Sequence, residues 1–332
     1  MEDNIGKDII GNGINVDGDR DLGDGNCLGT NGNAGNGNSE DQGDALGKSR
    51  FTYGDLTAPM PVSKYASHYK MDHPKRGIAL IFNHEKFETP HLRPRAGTAE
   101  DCKNLKECLK NLGFDVQVFQ DLRRNEIEEH IQGASKVNHV NYDCIIVAVL
   151  SHGEQGIIYA RDTHYKPEML WSYFTPEKCI TLAGKPKIFF LQACQGDRLD
   201  AGVTLATTET DGEVVSTYKI PQQADFLMVY STVKGYYSWR NTTKGSWFVQ
   251  ALCKELRERA FSNDLMTLLT FVSQRVAFDF ESNVPDSPTM HRQKQVPCIV
   301  SMLTRLIQFT KTGSEMSSQS AHVFLDELGK KK

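Results

Sequence analysis

Two short loops in the 332-residue sequence carry residues whose types and order could perform acyl transfer. Cys194 sits in Gln192-Ala-Cys-Gln-Gly196, directly after the apolar run 187–191. His152 sits in Ser151-His-Gly153, directly after the apolar run 145–150, and 42 residues before the cysteine. A free thiol, with a pKa of about 8.5, is activated as a nucleophile by a neighbouring imidazole. Gly153 has no Cβ, so its backbone N–H is free to point at a reacting oxygen; with the Cys194 N–H it would form an oxyanion hole. Each piece alone is weak. A lone His after a strand is most often structural, and a lone Cys at a strand end is most often core. Two such loops at one sheet edge are another matter, because that pairs thiol and imidazole.

That pairing requires two adjacent parallel strands, and the surrounding pattern supplies them. Residues 77–82 form a continuous apolar run of strand length. Residues 98–112 read as an amphipathic helix that Thr98 caps, with Asp101 in its first turn. Cys102, Leu105, Cys108, Leu109 and Leu112 share one face, and Gly113 ends the helix. A strand at 114–119 and a surface helix at 123–137 follow. Residues 143–150 do not alternate, so this strand is buried on both faces. Residues 187–191 form a fourth strand. This β-α-β-α-β-α-β order predicts an α/β fold, a twisted and mostly parallel sheet with helices on both faces. In such sheets the loops at the carboxyl ends of the strands build the site. Residues 200–218 are small and polar and read as an exposed connection. Strand 225–230, helix 246–257, a second helix with the stripe Leu265, Leu268, Leu269, Val272 and Val276, and strand 296–303 complete the fold, followed by a loose tail from Lys311.

Composition narrows the class. The chain has 38 Lys+Arg and 42 Asp+Glu, a net charge of −4. Near neutrality argues against nucleic-acid binding driven by phosphate contacts. No apolar run approaches the ~18 residues of a membrane span, and the N-terminus lacks a signal-peptide pattern, so a cytoplasmic protein is expected. The eight cysteines include no CxxC pair and no Cys/His spacing for zinc, so neither a metal nor a cofactor is expected. Residues 1–47 hold 12 Gly, 8 Asn and ten acidic residues against Lys7 and Arg20. That composition cannot offset its ordering entropy, and it reads as a disordered acidic leader joined by a linker, 48–75, to the globular part.

Gln192-Ala-Cys-Gln-Gly196, with a His upstream, resembles the nucleophile signature of caspases. Arg95-Ala-Gly-Thr98, Leu150-Ser-His-Gly153, Tyr237-Ser-Trp-Arg-Asn241, Gly245-Ser-Trp-Phe248 and Val296-Pro-Cys-Ile299 extend the resemblance from about Arg76 to Phe309. It is strongest to insect executioner caspases with a short leader. The resemblance implies the caspase fold with a six-stranded sheet and a cysteine endopeptidase that cleaves proteins after aspartate during apoptosis. It places Arg95, Gln192 and Arg240 in the pocket for that aspartate, a role consistent with the match between guanidinium and carboxylate. Tyr237, Ser238, Trp239 and Trp247 would wall the neighbouring substrate pockets, and Asn241 would meet an acidic residue three positions upstream of the aspartate. The His would be oriented by the carbonyl of Arg93. One departure is Glu281-Ser-Asn-Val-Pro-Asp286, where mammalian executioners carry aromatics, which bears on the distal pocket.

The chain also holds candidate substrates of its own. Thr208-Glu-Thr-Asp211 precedes Gly212 in the connection, so a cut after Asp211 would separate a large subunit (76–211) from a small one (212–310), leaving the tail 311–332. An initiator caspase would be the activator. A cut after Asp44 would expose Ala45-Leu46-Gly47, which resembles the termini that dock on inhibitor-of-apoptosis proteins. The resemblance also implies self-association as a dimer through strand 296–303. An inactive decoy or scaffold is the alternative, disfavoured because His152, Gly153, Cys194, Arg95, Gln192 and Arg240 are all present. A leader this short and Gly-rich is unsuited to the adaptor-binding domain of an initiator.

Overall fold

A computed structural model describes residue 58 and residues 60–201 and 221–311. The leader, with Asp44, Ala45, Leu46 and Gly47, the connection that contains Asp211, and the tail after Lys311 lie outside the described residues. The chain begins its sheet with β1 (Lys75–Asn83), then α1 (Thr98–Asn111), β2 (Asp115–Gln120), α2 (Arg124–Ser135) and β3 (Tyr142–Leu150). Three short strands follow, β4 (Gly153–Glu154), β5 (Ile157–Tyr159) and β6 (His164–Tyr165), then the 3₁₀ turns Pro167–Leu170 and Ile180–Leu182. β7 (Lys187–Gln192), β8 (Phe226–Tyr230), the ribbon β9 (Arg240–Asn241) and β10 (Gly245–Ser246), α3 (Trp247–Arg259), α4 (Leu265–Asp279) and β11 (Cys298–Ser301) complete it.

Six strands form one sheet in the order β11-β8-β7-β3-β1-β2. All neighbours are parallel except β11, which runs antiparallel to β8. β1, β3 and β7 are buried on both faces, as their unbroken apolar runs require. One face packs Ala79, Ile81, Ile146 and Ala148 against α1, α3 and α4. The other packs Ile78, Leu80, Ile145 and Val147 against Ile127 and Ile131 of α2 and against Trp171 and Phe174.

Three expectations need correction. The crossover from β3 to β7 contains no α-helix; the β4–β6 sheet and two 3₁₀ turns cover that face instead, with Leu170, Trp171, Phe174 and Leu182 supplying the apolar contact. Thr98 does not cap α1. Gly97 does, at φ 86, because the Thr98 hydroxyl is engaged between Arg95 Nη1 (2.6 Å) and Asn83 Oδ1 (2.6 Å). The last strand spans only Cys298–Ser301. The stretch before β1 also enters the core: Tyr69 and Met71 are buried, and the Tyr69 hydroxyl donates to Asp225 Oδ1 at 2.7 Å.

Candidate active site

β3 and β7 place the thiol and the imidazole. They pair in parallel with Leu150 opposite Gln192, and Ser151 N–H donates to the Gln192 carbonyl at 3.0 Å. His152 and Cys194 therefore leave the same sheet edge at matched positions, two residues beyond that pair. Gly153 packs so closely that a Cβ there would lie 2.6 Å from the Cys194 carbonyl oxygen and 2.9 Å from Ala193 Cβ. Only glycine allows the two backbones to approach in this way.

His152 Nε2 lies 2.8 Å from the Arg93 carbonyl. A carbonyl only accepts, so Nε2 carries the proton and Nδ1 is the nitrogen able to take one. The ring packs on Phe87 with centroids 4.9 Å apart. Burial pushes the imidazole down to about 4; the Arg93 bond opposes this, and the charges of Arg95 and Arg240 add to it. Cys194 Sγ accepts from Ser238 N–H at 3.4 Å and lies 3.8 Å from the Ser238 carbonyl. Burial pushes this thiol up, while the Ser238 amide and the same two guanidinium groups pull it down. The resting pair is thus thiol and neutral imidazole at neutral pH.

Near the thiol lies a cluster of positive charge whose field reaches it. Arg95 is 1% exposed, and its Nη1 donates to the His84 carbonyl (3.1 Å) and to Thr98 Oγ1. Its buried Nε has no hydrogen-bond partner. Burial, reinforced by Arg240, lowers this guanidinium to about 9, so it remains charged at neutral pH. Arg240 anchors Nε on the Ala96 carbonyl at 2.9 Å. Gln192 Nε2 donates to Ser238 Oγ at 2.8 Å, and its buried Oε1 is unpartnered. Asp101, on α1, accepts from the Ser246 amide (2.7 Å) and hydroxyl (2.6 Å) and fixes the β10 turn beneath the two arginines. The ion pairs among the described residues include neither Arg95 nor Arg240; the charge of Asp101 acts on both from beyond ion-pair distance.

Next to this cluster runs an aromatic series. Tyr237 and Trp239 have ring centroids 5.2 Å apart; Trp239 stacks on Trp247 at 5.6 Å, and Trp247 on Phe280 at 5.5 Å. Tyr237 is 38% exposed and the two tryptophans are buried, so the series shows water one edge. Asn241 Oδ1 accepts from the amides of Thr243 (2.9 Å) and Lys244 (2.8 Å), which ties that oxygen into a turn. Two residues outside the predicted set join this series: Phe280, and Gln295, whose Oε1 accepts from Trp239 N–H and whose Nε2 donates to the Ser231 carbonyl, each at 2.6 Å. Neither residue belongs to a motif, and no pattern in the sequence points to them. Gly97 also serves the site: at φ +86, a Cβ there would lie 2.6 Å from the Thr242 carbonyl, so the Arg95 loop closes onto the Arg240 ribbon only with glycine. No group of three or more His, Cys, Asp or Glu among the described residues is placed to hold a metal.

Comparison with known proteins gives this geometry a context. Residues 76–308 match the family model described as the caspase domain. The chain is 58% identical over 274 residues to Caspase-1 of Spodoptera frugiperda, covering 82% of this chain and 92% of that protein. It is 57% identical over 261 residues to Caspase drICE of Drosophila melanogaster (78% and 77%) and 44% identical over 245 residues to Caspase-3 of Mesocricetus auratus (73% and 87%). The crystal structure of the Spodoptera Caspase-1 superposes with a TM-score of 0.73 over 78% of this chain and 99% of that one.

Proposed function

The chain belongs to the caspase family, and we propose that it is an effector caspase, a cysteine endopeptidase that cleaves cellular proteins after aspartate during apoptosis. The observation that carries the specificity is the buried Arg95 guanidinium, with an unused donor, beside the Arg240 guanidinium. A short carboxylate satisfies such a pocket. An amide would leave the buried charge unpaired, a penalty of about 3–5 kcal/mol.

In this reading Cys194 Sγ attacks the scissile carbonyl carbon as His152 Nδ1 takes the thiol proton. The oxyanion rests on the Gly153 and Cys194 amides. The tetrahedral adduct collapses, His152 returns the proton to the leaving amine, and a thioester remains. Water, deprotonated by the same imidazole, then hydrolyses the thioester and frees the thiol. The Arg93 carbonyl supports this role, because it holds the tautomer with Nδ1 unprotonated. Tyr237, Ser238, Trp239, Trp247 and Asn241 would line the pockets for the residues before the aspartate.

Processing after Asp211 and Asp44, an initiator caspase as activator, and docking of Ala45-Leu46-Gly47 on inhibitor-of-apoptosis domains belong to the same proposal. Dimerisation follows the family, and the half-exposed edge strand β11 supports it, with Val300 41% exposed. The test is hydrolysis of matched tetrapeptides ending in Asp, Asn and Glu. Turnover of the Asp peptide alone, lost in Cys194→Ala, is expected; equal turnover of the Asn peptide overturns the assignment of the pocket.

A further inference from the structure

Cys194 sits between two peptide units on whose orientation its chemistry depends. A trans peptide is planar, with its carbonyl and its N–H pointing opposite ways, so holding one end aims the other. The first unit joins Ala193 to Cys194. Its N–H is the Cys194 amide that would receive the oxyanion, and its carbonyl accepts from Ser231 Oγ at 3.0 Å. The second unit joins Ser238 to Trp239. Its carbonyl lies 3.8 Å from Cys194 Sγ, and its N–H donates to Gln295 Oε1 at 2.6 Å. Gln295 also ties the two units together, because its Nε2 donates to the Ser231 carbonyl at 2.6 Å.

Both side chains are placed for precision. Ser231 is fully buried and Gln295 is 2% exposed, so water does not compete for their bonds. Ser231 follows β8, and its N–H donates to the Leu191 carbonyl at 2.9 Å, which extends the pairing of β8 with β7. Its hydroxyl therefore hangs from the sheet and not from a loop. Gln295 meets one donor and one acceptor, and that fixes its oxygen toward Trp239 and its nitrogen toward Ser231.

We propose that Ser231 and Gln295 are positioning residues for acyl transfer: the Ser231 hydroxyl aims the Cys194 amide at the oxyanion, and Gln295 aims the Ser238–Trp239 peptide at the thiol. Neither touches a reacting atom. Ser238 supplies both backbone neighbours of the sulfur, its N–H at 3.4 Å and its carbonyl at 3.8 Å. The carbonyl accepts the resting S–H, and the N–H favours the thiolate during attack. A displacement of about 1 Å in such groups costs up to about a hundredfold in rate.

The inference rests on the reading of Cys194 as the nucleophile, and the test separates the two. Ser231→Ala and Gln295→Met are compared with the parent protein on an Asp tetrapeptide. Their kcat is taken per active site, counted by titration to completion with an Asp-ended peptidyl chloromethyl ketone. Alkylation of Cys194 by iodoacetamide is followed across pH by mass spectrometry of its peptide. Ser231→Ala should lower kcat about ten- to a hundredfold with KM unchanged and the alkylation profile in place, because alkylation forms no oxyanion. Gln295→Met should lower kcat by a similar factor and move the alkylation midpoint up, since the Ser238 amide that pulls the thiol down is released. Gln295→Asn, one methylene short of spanning both partners, should fold more readily and shift both readouts in the same directions by less. Parental kcat in either Ser231→Ala or Gln295→Met, a loss confined to KM, a kcat deficit that vanishes once active sites are counted, or an unmoved alkylation profile in both Gln295 variants overturns the proposal. Turnover that survives Cys194→Ala overturns the reading of the nucleophile instead.

Discussion

Arg76 and Arg95 are both buried, one at the start of β1 and the other in the loop after it, yet they use their donors differently. Arg76 is surrounded by acceptors. Its Nε donates to the Leu112 carbonyl (3.0 Å), its Nη1 to the Met71 carbonyl (2.9 Å) and Asp143 Oδ2 (2.7 Å), and its Nη2 to Thr310, while Phe309 covers the guanidinium. Arg95 has two neutral acceptors, an unpartnered Nε and a second arginine for company. A charge placed for stability is closed off by its own chain. A charge placed for a ligand keeps a donor in reserve, and the fold carries the strain of that choice.

The largest effect should come from opening the closed arginine. Arg76→Met leaves the buried Asp143 carboxylate with His73 as its remaining partner within ion-pair distance among the described residues, and should destabilise the protein by about 3–5 kcal/mol, read as a fall in the urea midpoint. Arg76→Met with Asp143→Leu should recover much of the loss. Arg95→Ala should do the opposite: kcat/KM for an Asp peptide falls by about 3 kcal/mol, more than a hundredfold, while the Tm stays near that of the parent protein. A Tm loss as large as that of Arg76→Met, with catalysis intact, would reverse the comparison.

A smaller effect is expected at the glycine that lets the Arg95 loop approach the Arg240 ribbon. Gly97→Ala introduces a Cβ at a left-handed position, a strain of about 1–3 kcal/mol, and should lower kcat/KM for the Asp peptide. Steady-state kinetics beside thermal melting separates a loss of geometry from a loss of fold. The smallest change concerns pH. Arg240→Gln removes a positive neighbour that lowers His152, so the imidazole midpoint should rise from about 4. The same guanidinium also lowers the Cys194 thiol, so that midpoint should rise too, and alkylation at neutral pH should slow. Ring-proton titration by NMR and the pH profile of iodoacetamide reaction measure the two shifts. A His152 midpoint that does not move contradicts the electrostatic account of the pocket.

How much of this was legible in the sequence depended on how local each cause is. The strands β1, β3 and β7 could be read because burial on both faces demands unbroken apolar runs. The stripe Leu265, Leu268, Leu269, Val272 and Val276 located α4 in the same way. Thr98 misled, because its hydroxyl suits a helix cap, and nothing nearby in the sequence announced that Asn83, 15 residues back, would take its proton. Topology predicts a helix in the crossover between β3 and β7, whereas Trp171 and Phe174, in the stretch between the two 3₁₀ turns, cover the sheet equally well. Gln295 and Phe280 were invisible, since each matters only through a partner 56 or 33 residues away.

The residue types alone determined that a thiol, an imidazole and two guanidinium groups stand in loops that strands must present, because strand burial and loop polarity are written in neighbouring residues. The three-dimensional packing alone decided which of the buried charges are satisfied, since that depends on donors and acceptors brought together from distant segments. It also decided that Nδ1 of His152 is the nitrogen left to move a proton. Those are matters of distance, and a hydrogen bond is made or lost within a few tenths of an ångström.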